Sequence, residues 1–180
     1  MKLEPQIEEL YRMLDRELID ELWKNDPEMQ QLAQQYDERP VNRILSRKIN
    51  EFDNSIPHNV AQRQFDMIRQ IADSGESAIF VGRCADYALA GRPGLLRIFC
   101  RADLGQRIRR IEQRHNLSKK KAALLVAKTD RHRRVYYHHH TGQFWGHSSC
   151  YDLTVNTGVL GVEKTAETME AFIRTFWEQD

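Results

Sequence analysis

Lys128, Asp130, Arg131, Arg133 and Arg134 fall within two helical turns of this 180-residue chain. Residues three and four apart share a helix face, so Lys128, Arg131 and Arg134 form one cationic stripe. Left unanswered, three cations on one stripe repel one another. They become favourable around an anion with several oxygens, because a guanidinium grips phosphate through two parallel N–H bonds. The plain alternative is a solvated basic face, the usual fate of such runs. Tyr136-Tyr137, His138-His139-His140, Thr141-Gly142 and Phe144-Trp145 follow. Adjacent histidines on a helix point about 100° apart, so the three do not converge on one metal ion. A turn with exposed histidines is the simpler reading. The aromatic pairs either stack a base or pack the segment onto a core.

Any such basic function is local. The formal net charge is +1, which gives no global field that would select nucleic acid as a partner. Cys84, Cys100 and Cys150 are odd in number and widely spaced, which suits reduced thiols in a cytoplasmic protein better than a disulfide framework or a metal site. No run is long and apolar enough to cross a membrane, and the first residues do not resemble a signal peptide.

The elements that must carry these residues follow from apolar periodicity. Leu3, Ile7, Leu10, Leu14, Leu18 and Leu22 recur at helical steps, so residues 4–24 read as helical, with a possible break near Met13–Leu14. Asn25-Asp26-Pro27 ends that unit, and residues 28–39 read as a weak helix and a loop. Pro40 opens a helix carrying Ile44, Leu45, Ile49 and Phe52. Ala61, Phe65, Ile68 and Ala72 define another over 58–73, closed by Asp73-Ser74-Gly75. Residues 77–81 then form a short apolar run, the pattern of a strand buried on both faces. A short helix follows over 83–90, and residues 95–100 read as a second strand. Asp103 caps a helix over 104–115, and Ser118 caps a long helix reaching Tyr137. Residues 152–156 are a third strand, and a final helix carries Val162, Ala166, Met169, Ile173 and Phe176 on its buried face. Strands alternating with helices imply an α/β fold with a mostly parallel sheet in a single domain. Ligands of such sheets sit beyond the carboxyl ends of the strands, which puts Gly82-Arg83, Ala102-Asp103 and Asn156-Thr157 along one expected rim.

The string Val81-Gly82-Arg83-Cys84-Ala85-Asp86-Tyr87, the strand and turn 96–103, Lys128-Thr129-Asp130 with Arg133-Arg134, Tyr136-Tyr137, Thr141-Gly142, Trp145-Gly146 and Tyr151-Asp152-Leu153 with Asn156 together resemble the cytidylate kinase-like family. These are relatives of the P-loop nucleoside monophosphate kinases. The resemblance runs from about Leu14 to the C-terminus, and Leu14 to Ile19 is similar to the family's short strand-to-helix entry. It implies a P-loop-kinase-like parallel sheet flanked by helices, a helical region for the acceptor nucleotide over about 15–74, and a lid over about 117–147. It implies ATP and Mg²⁺ as cofactors and phosphoryl transfer to a nucleoside monophosphate such as CMP, a reaction driven by positioning and charge neutralisation. By the same resemblance Arg131, Arg134 and Asp130 are the catalytic candidates. Arg83, Asp86, Lys128 and Arg133 are candidates for the substrate. Arg107 and Arg114 fall near enough the expected rim to be candidates for the donor phosphates. Arg107, Arg109, Arg110 and Arg114 also read as a solvated helix face, and Asp15 needs no role beyond an N-cap.

One departure is large. The family opens on a strand, a Gly-rich phosphate loop and a helix, and the first glycine here is Gly75. A phosphate cradle needs successive backbone N–H groups on one anion and glycines to permit the turn. The expectation is therefore that the first strand and loop are absent. Three readings follow: a truncated chain, a non-catalytic pseudo-kinase that covers its exposed sheet edge by dimerising or by binding a protein partner, or a nucleotide binder without transfer.

Overall fold

The computed structural model describes residues 12–14, 20, 22–36 and 56–178. In chain order the elements are β1 (Arg12–Leu14), α1 (Pro27–Tyr36), α2 (Ile56–Asp73), β2 (Ala78–Phe80), α3 (Ala85–Ala88), β3 (Ile98–Arg101), α4 (Leu104–His115), α5 (Lys119–Thr141), a single 3-10 turn (Ser148–Cys150), β4 (Leu153–Asn156) and α6 (Thr157–Trp177). The chain divides into two compact units, one of residues 1–92 and 135–142, the other of residues 93–134 and 143–180. The helix expected after Pro40 lies outside the described residues. Among the described residues no helix is long and apolar enough to cross a membrane.

In the first unit β1 and β2 pair in parallel, with Arg12, Met13 and Leu14 opposite Ala78, Ile79 and Phe80. This corrects the helical reading of residues 4–24 at 12–14; residues 4–11 and 15–19 lie outside the described residues. Leucine spacing alone fits a helix at 12–14, but backbone pairing with a β-branched and aromatic strand overrides that local preference. Asp20 and Leu22 are helical, and the chain turns at Trp23–Asn25 as the Asn-Asp-Pro sequence requires. Trp23, Ala33 and Val60 form a small core flanked by Leu22 and Met29. The apolar face of α2 carries Ala61, Phe65, Ile68 and Ile71, all buried. Cys84, Ala85, Ala88, Leu89, Tyr136 and Tyr137 are the other buried apolar and aromatic side chains of this unit. The strand β2 is half-buried rather than enclosed on both faces.

In the second unit β3 and β4 pair in parallel, with Ile98 opposite Leu153 and Arg101 opposite Asn156. The single sheet expected from the sequence is thus two separate parallel pairs, and no described strand joins them. The α/β class and the parallel sense hold, with helices flanking the strands. The helix α4 has the expected bounds, and Asn116 closes it in the left-handed conformation at φ 50°. On α6, Ala166, Met169, Ile173 and Phe176 are half-buried, whereas Val162 is exposed. The backbone leaves helical geometry at Gly161, φ 81°, which turns Val162 away from the stripe set by its successors.

The residues just before β3 and β4 are joined by a two-pronged ion pair. Arg97 Nε donates to Asp152 Oδ2 at 3.0 Å and Arg97 Nη2 to Oδ1 at 2.7 Å, and the Arg97 backbone N–H adds a third bond at 2.8 Å. The Arg97 guanidinium holds the Asp152 carboxyl below the usual carboxylate range. A depressed folded-state value means the contribution is present above the unfolded carboxylate range near 3.9 and is lost as pH falls through the folded value. Asp152→Asn is expected to lower stability at neutral pH by about 1–2 kcal/mol, after discounting for a partly exposed pair. Unfolding of both proteins as a function of pH checks this: the gap should close as pH falls below 4, where wild type loses the same interaction.

Candidate functional site

The chain leaves β2 through Val81 and enters three consecutive residues with left-handed backbone. Gly82 has φ 78°, Arg83 φ 52° and Cys84 φ 53°. Glycine adopts this region freely, but each residue with a Cβ costs about 1–3 kcal/mol there. Two such residues in succession, ahead of the short helix α3, mark a backbone held for something other than local stability. Its effect is to aim Arg83 inward. The side chain is 5% exposed, and Nη1 donates to the Val81 carbonyl at 3.0 Å. A buried guanidinium keeps its charge, and hydrogen bonds such as the one to the Val81 carbonyl offset part of its desolvation penalty.

Asp86 lies in the first turn of α3, where a carboxylate suits the helix dipole. Its Oδ2 accepts a hydrogen bond from Tyr137 Oη at 2.6 Å. Tyr137 belongs to the C-terminal part of α5, which packs into the first unit through aromatic contacts. His140 meets Phe65 edge to face at 5.7 Å between ring centroids, Phe65 meets Tyr87 at 6.3 Å, and Tyr136 meets His140 at 4.5 Å. Of the two readings open for the tyrosines, packing is what the geometry displays. Tyr137→Phe removes one partner of a hydrogen bond to a charged group, worth about 1.5–3 kcal/mol when desolvated. The expected loss is near the low end, because Asp86 is only half-buried. Chemical denaturation of the two proteins measures it.

In the second unit Lys128, Arg131, Arg133 and Arg134 are all exposed on α5. Asp130, half-buried, receives both Nη1 of Arg107, at 2.9 Å, and Nη2 of the same guanidinium. This fork ties α4 to α5. It also occupies Arg107, one of the two arginines assigned to donor phosphates, while Arg114 is exposed in the last turn of α4. Below them, Phe99 stacks at 4.9 Å on Tyr151 and meets Trp145 edge to face at 5.3 Å. Gly146, φ 79°, lies where a Cβ would come within 2.9 Å of the Phe99 ring. Phe144 is 70% exposed. At the carboxyl ends of this pair of strands, Asn156 Nδ2 donates to Asp103 Oδ1 at 3.3 Å.

A sequence model of the cytidylate kinase-like family matches residues 8–159. This chain belongs to the cytidylate kinase-like family. Among solved structures it is similar to an uncharacterized protein from Eubacterium ventriosum ATCC 27560, at 25% identity and a TM-score of 0.63, over 82% of this chain and 89% of that one. No curated protein matches it.

As a class, cytidylate kinase-like proteins are linked to ATP and Mg²⁺. No cluster of three His, Cys, Asp or Glu that could hold a metal ion occurs among the described residues of this member. Residues 1–74 contain no glycine. A phosphate cradle of the P-loop kind therefore does not fit these residues. What the first unit of this cytidylate kinase-like protein does offer is Arg83 on a left-handed turn and Asp86 fixed by Tyr137. The second offers the exposed cations of α5. Spacing alone missed Tyr137 as a partner of Asp86, and it missed Arg97 with Asp152. The latter pair was within reach. Each precedes its strand by one residue, and parallel pairing from Ile98 and Leu153 puts them side by side.

Proposed function

We propose that the chain binds a nucleoside monophosphate, CMP first among them, as a member of the cytidylate kinase-like family without a phosphate loop of its own in these residues. In this reading Arg83 takes the acceptor phosphate by charge-assisted hydrogen bonds, and Asp86 orients the sugar or base. Arg131 and Arg134 on α5, with Lys128 and Arg133, are a separate group of phosphate candidates within the second unit. Asp130 holds α5 in place through Arg107 and does not touch the ligand. The observation that carries the reading is the left-handed Gly82-Arg83-Cys84 turn with its buried guanidinium. Backbone strain of this kind clusters at ligand-gripping sites, which supports the reading.

Thermal unfolding with CMP, UMP, AMP and GMP tests this. A ligand at one hundred times its Kd adds about 2.7 kcal/mol to the folded state, so CMP should raise the melting temperature by several degrees. No rise with any of the four overturns the reading. Catalysis is a separate question with its own assay. Without glycines to cradle a γ-phosphoryl group, the purified chain should not turn over ATP with CMP at ordinary kinase rates of about 1–100 per second.

A further inference from the structure

The two charge signs are distributed unevenly along this chain. Residues 93–134 hold thirteen Lys and Arg against three Asp and Glu, while the rest of the chain holds fourteen against twenty-three. The near-zero net charge hides a strongly basic piece. Within it, Arg109, Arg110 and Arg114 of α4 and Lys119, Lys120 and Lys121 of α5 are exposed on either side of the Asn116–Ser118 turn. Among the described residues no carboxylate pairs with any of the six. Glu112 is the only carboxylate from Leu104 to Thr129. A face kept only for solubility interleaves both signs.

The lysines are also placed against the local physics. The first turn of α5 holds no acid and three consecutive cations. Each cation at a helix N-terminus is opposed by the macrodipole, by about 0.3–1 kcal/mol. A row of phosphates would answer the lysines, the dipole and the three arginines together. One phosphate could not, because the six cations are spread over two helices. No aromatic residue occurs from Leu104 to Arg134, so nothing on this face offers bases a stacking platform. That composition favours contact with the backbone of a double helix, which needs no base readout. An anionic membrane is the rival, because Leu124 and Leu125 are exposed on the following turn. Interfacial helices, however, rely on a broad apolar face with aromatic anchors, which is missing here.

We propose that the exposed cations flanking the α4–α5 turn, Arg109, Arg110, Arg114 and Lys119–Lys121, bind the phosphate backbone of double-stranded nucleic acid, independently of sequence. This does not rest on the nucleotide-binding reading, whose residues are different. Fluorescence anisotropy of a short labelled duplex of arbitrary sequence, titrated with the full chain, tests it. With six phosphate contacts, affinity should fall roughly a thousandfold between about 50 and 200 mM salt. Replacing Lys119, Lys120 and Lys121 together by Ala should weaken binding more than tenfold at low salt and lower the salt slope by about three. The same variant should melt no lower than wild type, because the lysines oppose the dipole they sit on. Absence of duplex binding at low salt, or equal binding by the triple variant, overturns the proposal. So does binding to phosphatidylserine vesicles without binding to the duplex.

Discussion

Phe65→Ala should destabilise the first unit by about 3–5 kcal/mol, the largest effect expected of any single substitution here. Phe65 is 2% exposed, on the buried face of α2. Its ring joins three segments distant in sequence: α2 itself, Tyr87 at the end of the Arg83 turn, and His140 in the last turns of α5. Truncation removes the apolar area and both edge-to-face contacts, and two separately anchored segments cannot collapse together into one gap. Denaturant unfolding would record it as a lower midpoint. Phe65→Leu keeps most of the volume and should lose roughly 1–2 kcal/mol. If Phe65→Ala were to cost no more than Phe65→Leu, α5 would not depend on this ring for its seat.

Arg83→Gly is the second substitution with a large expected effect, and it acts on binding instead of stability. Glycine adopts φ 52° without strain, so the variant regains what a residue with a Cβ loses at this position. That gain opposes the packing lost with the side chain, and net stability should stay within about 1 kcal/mol of wild type. Binding of CMP should fall by at least about a hundredfold, since two charge-assisted hydrogen bonds worth about 1.5–3 kcal/mol each are removed. Arg83→Lys keeps the charge without the two-pronged fork and should lose about tenfold. A destabilised Arg83→Gly protein with unchanged affinity would make the buried guanidinium a structural group.

Much of this was legible in the sequence because local signals and tertiary structure agree. The helices α2, α4 and α5 fall where apolar spacing and the Asp103 and Ser118 caps put them, and β2, β3 and β4 lie within or one residue beyond the apolar runs read as strands. The strand at Arg12–Leu14 was not legible from periodicity, since a leucine repeat is ambiguous over three residues and only pairing with Ala78–Phe80 decides it. Separation of the sheet into two pairs was not legible in the strands, each of which reads as an ordinary parallel strand. The residues Arg83, Asp86 and Asp130 could be singled out by type. Their partners could not, because Tyr137 and Arg107 are 51 and 23 residues away and are brought in only by the packing of α5. The left-handed backbone at Arg83 and Cys84 leaves no mark in residue type at all.

A calorimetric titration of CMP into the wild-type chain and Arg83→Gly decides whether a nucleotide binds at Arg83. Saturable one-to-one binding by wild type, weakened by at least about a hundredfold in the variant, is the expected result. Binding of equal strength by both proteins, or no heat from either with CMP in millimolar excess, would contradict it.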